Sequence, residues 1–189
     1  MISGGHHRRR MNRRLATLHH LRNEQPRLVA FDLEMMERAI QLASRAAAVG
    51  EVPVGAVVYR EGRILAEAAN NREHAADPTG HAEIVALREA GRSVGEWRLQ
   101  GCTVAVTLEP CPMCAGAMVN ARVGRVIYGA RDPKAGACSS LYEITDDRRL
   151  NHRLETVGDV MGRPCAGLLS SFFRERRLEK RKQRDAARR

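Results

Sequence analysis

The order of elements in this sequence (helix, hairpin, helix, strand, helix, strand, helix) predicts an α/β domain of three layers, with helices on both faces of a mixed sheet of about five strands. Three observations carry that prediction. The apolar runs at 54–59, 64–69, 102–108 and 124–129 are short and rich in Val, Ile and Ala, as buried strands are. Between them lie stretches compatible with helices, the first with apolar residues at three- and four-residue steps. A chain of 189 residues with 43% hydrophobic content suits one domain with tails, rather than two. Aromatic residues are few, so the core must be built largely from Ala, Val, Leu and Ile.

Residues 1–27 hold seven Arg and one Glu and lack the apolar segment of a secretory signal. They read as a basic, disordered extension; an organelle transit peptide is the alternative, although Ser is scarce. His6-His7 and His19-His20 read as tail residues rather than ligands. The domain proper is expected over 28–182, with a basic tail at 183–189. Its first helix runs from about Asp32 to Val49, with Met36, Ile40, Ala43 and Ala47 on one face and Gly50 as the stop. Val54–Tyr59 and Ile64–Ala69 flank Glu61-Gly62-Arg63 as a hairpin. After a loop over 70–80, Ala82–Ala90 forms a helix that Gly91 ends. Cys102–Leu108 is a buried strand feeding a helix over Cys111–Ala121, and Gly124–Gly129 is a further strand. A weak strand near Leu154–Val157 precedes a last helix of about Cys165–Arg184.

The net charge of +10 is concentrated at the two ends, which carry +6 each over residues 1–27 and 172–189 and leave the middle at −2. A near-neutral body with basic ends suits a polyanionic partner, most simply a nucleic acid, although such runs also serve solubility alone. No apolar run approaches the roughly 20 residues that a membrane span needs, so no membrane partner is expected. Five cysteines without framework spacing fit a reducing compartment, and the cytoplasm is the expected location.

The chemistry concentrates between residues 81 and 114. His81-Ala82-Glu83 is followed, after a helix and a strand, by Pro110-Cys111-Pro112-Met113-Cys114. One imidazole and two thiols are three good zinc ligands, which leaves a fourth tetrahedral position for water, as in catalytic sites. Such a water has a pKa of roughly 7, and Glu83 is the obvious base. A Cys-x-x-Cys also fits a redox pair or half of a structural zinc site. The first leaves His81 and Glu83 unexplained; the second lacks a partner pair, because Cys102, Cys138 and Cys165 stand alone. Helical spacing by itself resists the catalytic reading, since residues i and i+2 do not face each other. The conflict eases if His81 occupies the first helical turn, started by Asp77-Pro78-Thr79. Cys111 and Cys114 share a face at the positive end of a helix that opens around Pro112, where thiolate is favoured.

His-x-Glu followed by Pro-Cys-x-x-Cys resembles the signature of zinc-dependent nucleobase deaminases. The likeness extends to Glu51-Val52-Pro53-Val54-Gly55-Ala56, Asn70, Asp77-Pro78-Thr79, Thr107-Leu108-Glu109, Gly129-Ala130-Arg131-Asp132, Asn151-His152-Arg153 and Phe172-Phe173-Arg174. In order and spacing these resemble the bacterial tRNA-specific adenosine deaminases over about residues 28–182. The N-terminal extension and the Arg148-Arg149-Leu150 loop depart from that pattern. The resemblance implies a cytidine-deaminase-like fold, one Zn2+ per subunit, a homodimer, and hydrolysis of adenosine to inosine at the wobble position of a tRNA anticodon stem-loop.

In that reading His81, Cys111 and Cys114 hold the zinc and Glu83 carries the proton from water to the purine ring. Asn70 hydrogen-bonds the base, Val54 lines its pocket, and Asp132 stands beside the flanking nucleotide, where a ribose 2′-OH could be read. Phe173, Arg174, Arg176 and Arg177 would offer stacking surface and phosphate charge from the last helix. Each has a plainer role open to it: a turn residue for Asn70, core packing for Val54 and for one of Phe172 and Phe173, a loop cap for Asp132. Glu109 fits a structural role. A free-base or nucleoside deaminase, of guanine or cytidine type, would keep the zinc site without needing a basic last helix. A non-enzymatic RNA-binding module would not need Glu83.

Overall fold

The computed structural model describes residues 28–188; the extension expected over residues 1–27, with its His pairs, lies outside the described residues. Helix α1 (Ala30–Ala48) leads into the hairpin β1 (Gly55–Arg60) and β2 (Arg63–Ala69). Then come α2 (Ala82–Val94), β3 (Thr103–Leu108), α3 (Pro112–Asn120), β4 (Arg125–Ala130), a single 3-10 turn (Ile144–Asp146), β5 (Glu155–Val157) and α4 (Gly162–Ala186). The five strands form one sheet in the order β2-β1-β3-β4-β5. β1 runs antiparallel to β2 and β3, whereas β3, β4 and β5 run parallel, which is the mixed sheet expected.

Period-two side-chain alternation sends each strand's residues to two different helical layers. Ala56, Val58, Val104, Val106, Val126 and Tyr128 pack with Ala82, Ala86 and Leu87 of α2 and with Met118 of α3. Val57, Tyr59, Ala105 and Ile127 face Met35, Met36 and Ala39 of α1 and Cys165 of α4. Both faces of the central strands are covered, so β1, β3 and β4 read as unbroken apolar runs.

Some boundaries differ from expectation for physical reasons. The buried stripe of α1 runs through Met36, Ala39, Ala43 and Ala46, leaving Ile40 and Ala47 at its margin. Gly91 does not end α2: the helix continues to Val94 and stops at Gly95, which adopts the left-handed conformation (φ 72°) that a side chain disfavours. Helix α4 passes Arg184 and takes in much of the expected tail. The Asn151-His152-Arg153 segment pins the approach to β5: Arg122 donates to Asn151, the His152 ring bonds the Val123 carbonyl at 2.7 Å, and Arg153 bonds Asp146.

A buried carboxylate ties α1 to the sheet. Asp32 accepts from the Val29 N–H at the helix start (3.0 Å), from the Tyr59 hydroxyl on β1 (2.6 Å) and from Arg125 on β4 (2.8 Å). Burial opposes its ionisation, but the hydrogen bonds from Tyr59, Val29 and Arg125 outweigh burial and hold its pKa below the usual value. A carboxyl depressed on folding contributes stability that is present above its unfolded pKa of about 3.9 and is lost as pH falls through the folded value. Asp32→Ala should therefore cost about 3 kcal/mol at pH 7, the low end for breaking a buried pair, because Arg125 keeps its contact with Glu155. Urea unfolding at pH 7 and at pH 3 checks this: the gap between variant and wild type should narrow at the lower pH.

Candidate active site

The sheet's register gathers the site at one end, beyond the carboxyl ends of the parallel strands β3 and β4, where open α/β sheets take their ligands. Leu108 pairs with Ala130, so Glu109–Cys111 and Arg131–Asp132 leave the sheet side by side. β1 is antiparallel to β3, which brings its beginning to the same end; Gly55 pairs with Ala69, and the Asn70 N–H bonds the Val54 carbonyl at 2.9 Å. Val54, Asn70, Leu108, Glu109 and Asp132 thus meet without being neighbours in sequence.

Two helices start at this end. His81 is the N-cap of α2 and has extended backbone (φ −74°, ψ 144°), and Cys111 is the N-cap of α3, with Pro112 as the first helical residue. The expectation that His81 sits in the first turn, behind a cap at Asp77, is corrected here. Asp77 closes a turn onto the Thr79 N–H and hydroxyl instead, and the helix begins after His81. Because His81 lies outside the helical series, the i, i+2 objection to its facing the same centre as Glu83 disappears.

His81 Nδ1 lies 3.7 Å from Cys111 Sγ and 3.6 Å from Cys114 Sγ. Zinc bonds of about 2.05 Å to nitrogen and 2.3 Å to sulfur, at a tetrahedral angle, put those atoms about 3.6 Å apart. The trio therefore already has the spacing that zinc requires, and its donor types suit that ion. The hydrogen bond from Cys114, followed by the His81 ring, pushes the Cys111 thiol down to about 4, whereas Cys114 is pushed up by donating to Cys111 and by burial. At neutral pH the trio presents at least one thiolate, the ligand form of cysteine.

A cavity of about 160 Å³ opens beside these groups, lined among others by Val54, Asn70, His81, Glu83, Glu109 and Asp132. Its two glutamates are driven in opposite directions. Burial raises the pKa of Glu83, which is only 4% exposed. Burial also opposes ionisation of Glu109, but the Ser140 hydroxyl and the N–H groups of Asp132, Ser140 and Ser139 outweigh it and hold this carboxyl low. Glu109 therefore serves as a fixed anion around which the loop after β4 folds. It accepts from Asp132 N (3.0 Å), Cys138 N (3.2 Å), Ser139 N (2.8 Å) and Ser140 N (2.9 Å), and a Cβ at Gly136 would overlap its carboxylate.

Of the remaining residues singled out from sequence, Asn70 is buried and donates through Nδ2 to Glu51 at 2.8 Å. Asp132 lines the cavity while its Oδ1 caps the loop through Lys134 N and Ala135 N, as the loop-cap reading expects. Phe172 is the buried member of its pair and Phe173 is exposed. Phe173, Arg174, Arg176 and Arg177 do not line the cavity; they lie on the part of α4 that extends into solvent. Sequence reasoning missed Glu51, which is buried, orients Asn70 and accepts from His74 N at 2.6 Å, and it missed Arg72 at the cavity. Only a buried acid next to a strand start would have signalled Glu51, and burial is invisible in one sequence.

Known proteins resemble this chain over most of its length. Residues 31–177 match the MafB19-like deaminase family. The tRNA-specific adenosine deaminase of Bacillus subtilis is 47% identical over 149 residues, covering 79% of this chain and 92% of that protein. That of Haemophilus influenzae is 45% identical over 152 residues, covering 80% and 88%. A solved structure from a study of A-to-I editing by tRNA:A34 deaminases at the wobble position of transfer RNA is 38% identical. It superposes with a TM-score of 0.70, covering 72% of this chain and 99% of that one. Identity of 45–47% over most of the length of both curated relatives, together with the deaminase family match, makes this chain a member of the tRNA-specific adenosine deaminase family.

Proposed function

We propose that this chain hydrolyses adenosine to inosine at the wobble position of tRNA anticodons, with Glu83 as the proton carrier and His81, Cys111 and Cys114 as the ligands of one zinc per chain. The observation that supports this reading most is the opposed pair of glutamates in one small cavity beside the trio. Carboxyls driven apart by their surroundings take different roles. Bound by the trio, zinc supplies a Lewis acid that lets water lose a proton near neutral pH. Glu83 takes that proton; burial, which raises its pKa, lets it hold the proton and pass it to the purine ring nitrogen. Water's oxygen ends as the carbonyl on the amino-bearing ring carbon; its second proton, carried by Glu83 in turn, goes to the amino group, whose C–N bond breaks to release ammonia.

At about 160 Å³ the cavity is below the usual 300–1,000 Å³ of ligand pockets, so it takes a base and leaves sugar and phosphates outside. A base enters only if it is unstacked, which anticodon-loop bases permit. With Nδ2 held by Glu51, Asn70 presents chiefly its Oδ1 to the base, and Val54 supports the ring. Asp132 stands where the sugar of a flanking nucleotide emerges. Phe173, Arg174, Arg176 and Arg177 form a basic, partly aromatic surface for the stem-loop. The family resemblance implies a homodimer, and exposed Trp97, Leu141 and Tyr142 leave apolar surface for one. Among the described residues no helix is long and apolar enough to cross a membrane, and bacterial relatives that act on tRNA support a cytoplasmic location.

The purified protein is expected to carry one zinc per chain, and Cys111→Ser to carry much less; metal analysis by mass spectrometry decides, and full zinc in the variant would sink the ligand assignment. Glu83→Ala should keep its zinc and still bind an anticodon stem-loop, while inosine formation falls by about 10² or more. Full turnover in that variant removes Glu83 from the mechanism. Replacing Arg174, Arg176 and Arg177 together by Ala should weaken stem-loop binding and flatten its salt dependence by about 0.7 to 0.9 per lost phosphate contact on a log-log plot. An unchanged slope would place RNA recognition elsewhere.

A further inference from the structure

The small cavity admits a base but does not explain why that base should arrive on a polynucleotide. Three of its lining residues are acids, Glu83, Glu109 and Asp132, and Arg72 is the single Lys or Arg among them. A phosphate attached to the target nucleotide has to rest somewhere on the rim, and near the acids it is repelled. Asp132 guards one side, and Arg72 stands on the loop between β2 and α2. Its side chain is 50% exposed, and its ion pair is a loose one, 3.6 Å to Glu73, itself 65% exposed. A contact of that kind contributes little and gives way readily to a better anion.

The backbone beneath Arg72 is held in place. Asn71 N bonds the Gly80 carbonyl at 3.0 Å, Asp77 N bonds the Arg72 carbonyl at 3.1 Å, and His74 N bonds the buried Glu51 carboxylate at 2.6 Å. A Cβ at Gly80 would overlap the Asn71 side chain, so the two arms of the loop lie in close contact. The same Glu51 orients Asn70, two residues before Arg72. One buried carboxylate thus fixes both the amide proposed to read the base and the loop that carries the guanidinium.

Building on the function proposed above, we propose that Arg72 binds a backbone phosphate adjoining the target nucleotide and so biases this base-sized cavity toward nucleotides within an RNA strand. The planar fork of arginine suits two phosphate oxygens at once. The strand then crosses the cavity mouth from the Arg72 side toward Asp132, with the target base turned inward between them.

The test uses full-length, zinc-loaded protein and an anticodon stem-loop, alongside stem-loops carrying an uncharged methylphosphonate immediately 5′ or 3′ of the target adenosine. Arg72→Gln should raise KM about tenfold at 0.1 M salt, with a smaller effect on kcat, and should lower the salt slope of binding by about 0.7. One of the two methylphosphonates should cost the wild type a similar factor and cost Arg72→Gln little more. Arg72→Lys should recover part of the affinity, because it restores the charge without the fork. Zinc content and thermal midpoint report whether Arg72→Gln is intact; should it fail to fold, Arg72→Lys against the two methylphosphonates carries the same comparison. A wild-type salt slope in Arg72→Gln, or a methylphosphonate loss that adds in full to the loss from the substitution, overturns the assignment. If the wild type itself leaves the stem-loop adenosine unchanged, it is the proposed function that fails rather than the role of Arg72 within it.

Discussion

The cavity end of the molecule depends on one buried anion. Glu109 leaves the end of β3 and is 2% exposed, and an ionised carboxylate there costs several kcal/mol unless its oxygens are satisfied. The chain satisfies them by bending the segment after β4 around it, so that N–H groups of four residues, 132, 138, 139 and 140, point at one side chain. The path of that loop is thereby set, and with it the positions of Asp132 and Ala135 on the cavity wall. Two residues beyond Glu109 comes Cys111, so the group that folds the loop also adjoins the start of the helix that carries both thiols.

A similar device operates across the cavity. Glu51, also 2% exposed, joins the amide of Asn70 to the backbone of His74. Two buried carboxylates that are hydrogen-bonded by the fold hold the walls, while Glu83 is left with burial as its dominant influence. For Glu109 the donors outweigh burial and hold the carboxyl low, whereas for Glu83 burial outweighs the bonds from its own N–H and from Cys114 and raises its affinity for a proton. Both α2 and α3 direct their N-termini at this point, where helix dipoles favour negative charge such as the Cys111 thiolate.

The distribution of charge sets the end of α4 apart from the body that holds the cavity. The sheet and its helices form a body close to neutral, whereas the last turns of α4 are exposed and strongly basic. Polyelectrolyte attraction is long-ranged and tolerant of position, so it can be supplied by a helix that lines no part of the cavity. Selection of a base, under the proposed function, needs contacts at hydrogen-bond distance, which the cavity end of the sheet offers. Phe172 and Phe173 mark the transition along α4, the first buried against the body and the second open to solvent.

By itself the sequence determined what depends on local pattern. Short Val-, Ile- and Ala-rich runs specify strands covered on both faces, Pro112 specifies a helix start, and His81, Glu83, Cys111 and Cys114 specify the kinds of donor that zinc and proton transfer need. It could not settle where His81 stands, because an N-cap and a first-turn residue differ by one backbone rotation that spacing does not record. It misjudged Gly91 for a similar reason: a glycine ends a helix where the chain turns left-handed, and that turn falls at Gly95, where Gly95 N and Glu96 N bond back to the Arg92 and Gly91 carbonyls. Strand register alone brought Val54, Asn70, Leu108 and Asp132 together, since pairing between distant segments leaves no local trace. The opposed behaviour of Glu83 and Glu109 was likewise decided by the folded structure, because desolvation and hydrogen-bond supply exist only once the walls have closed around a group.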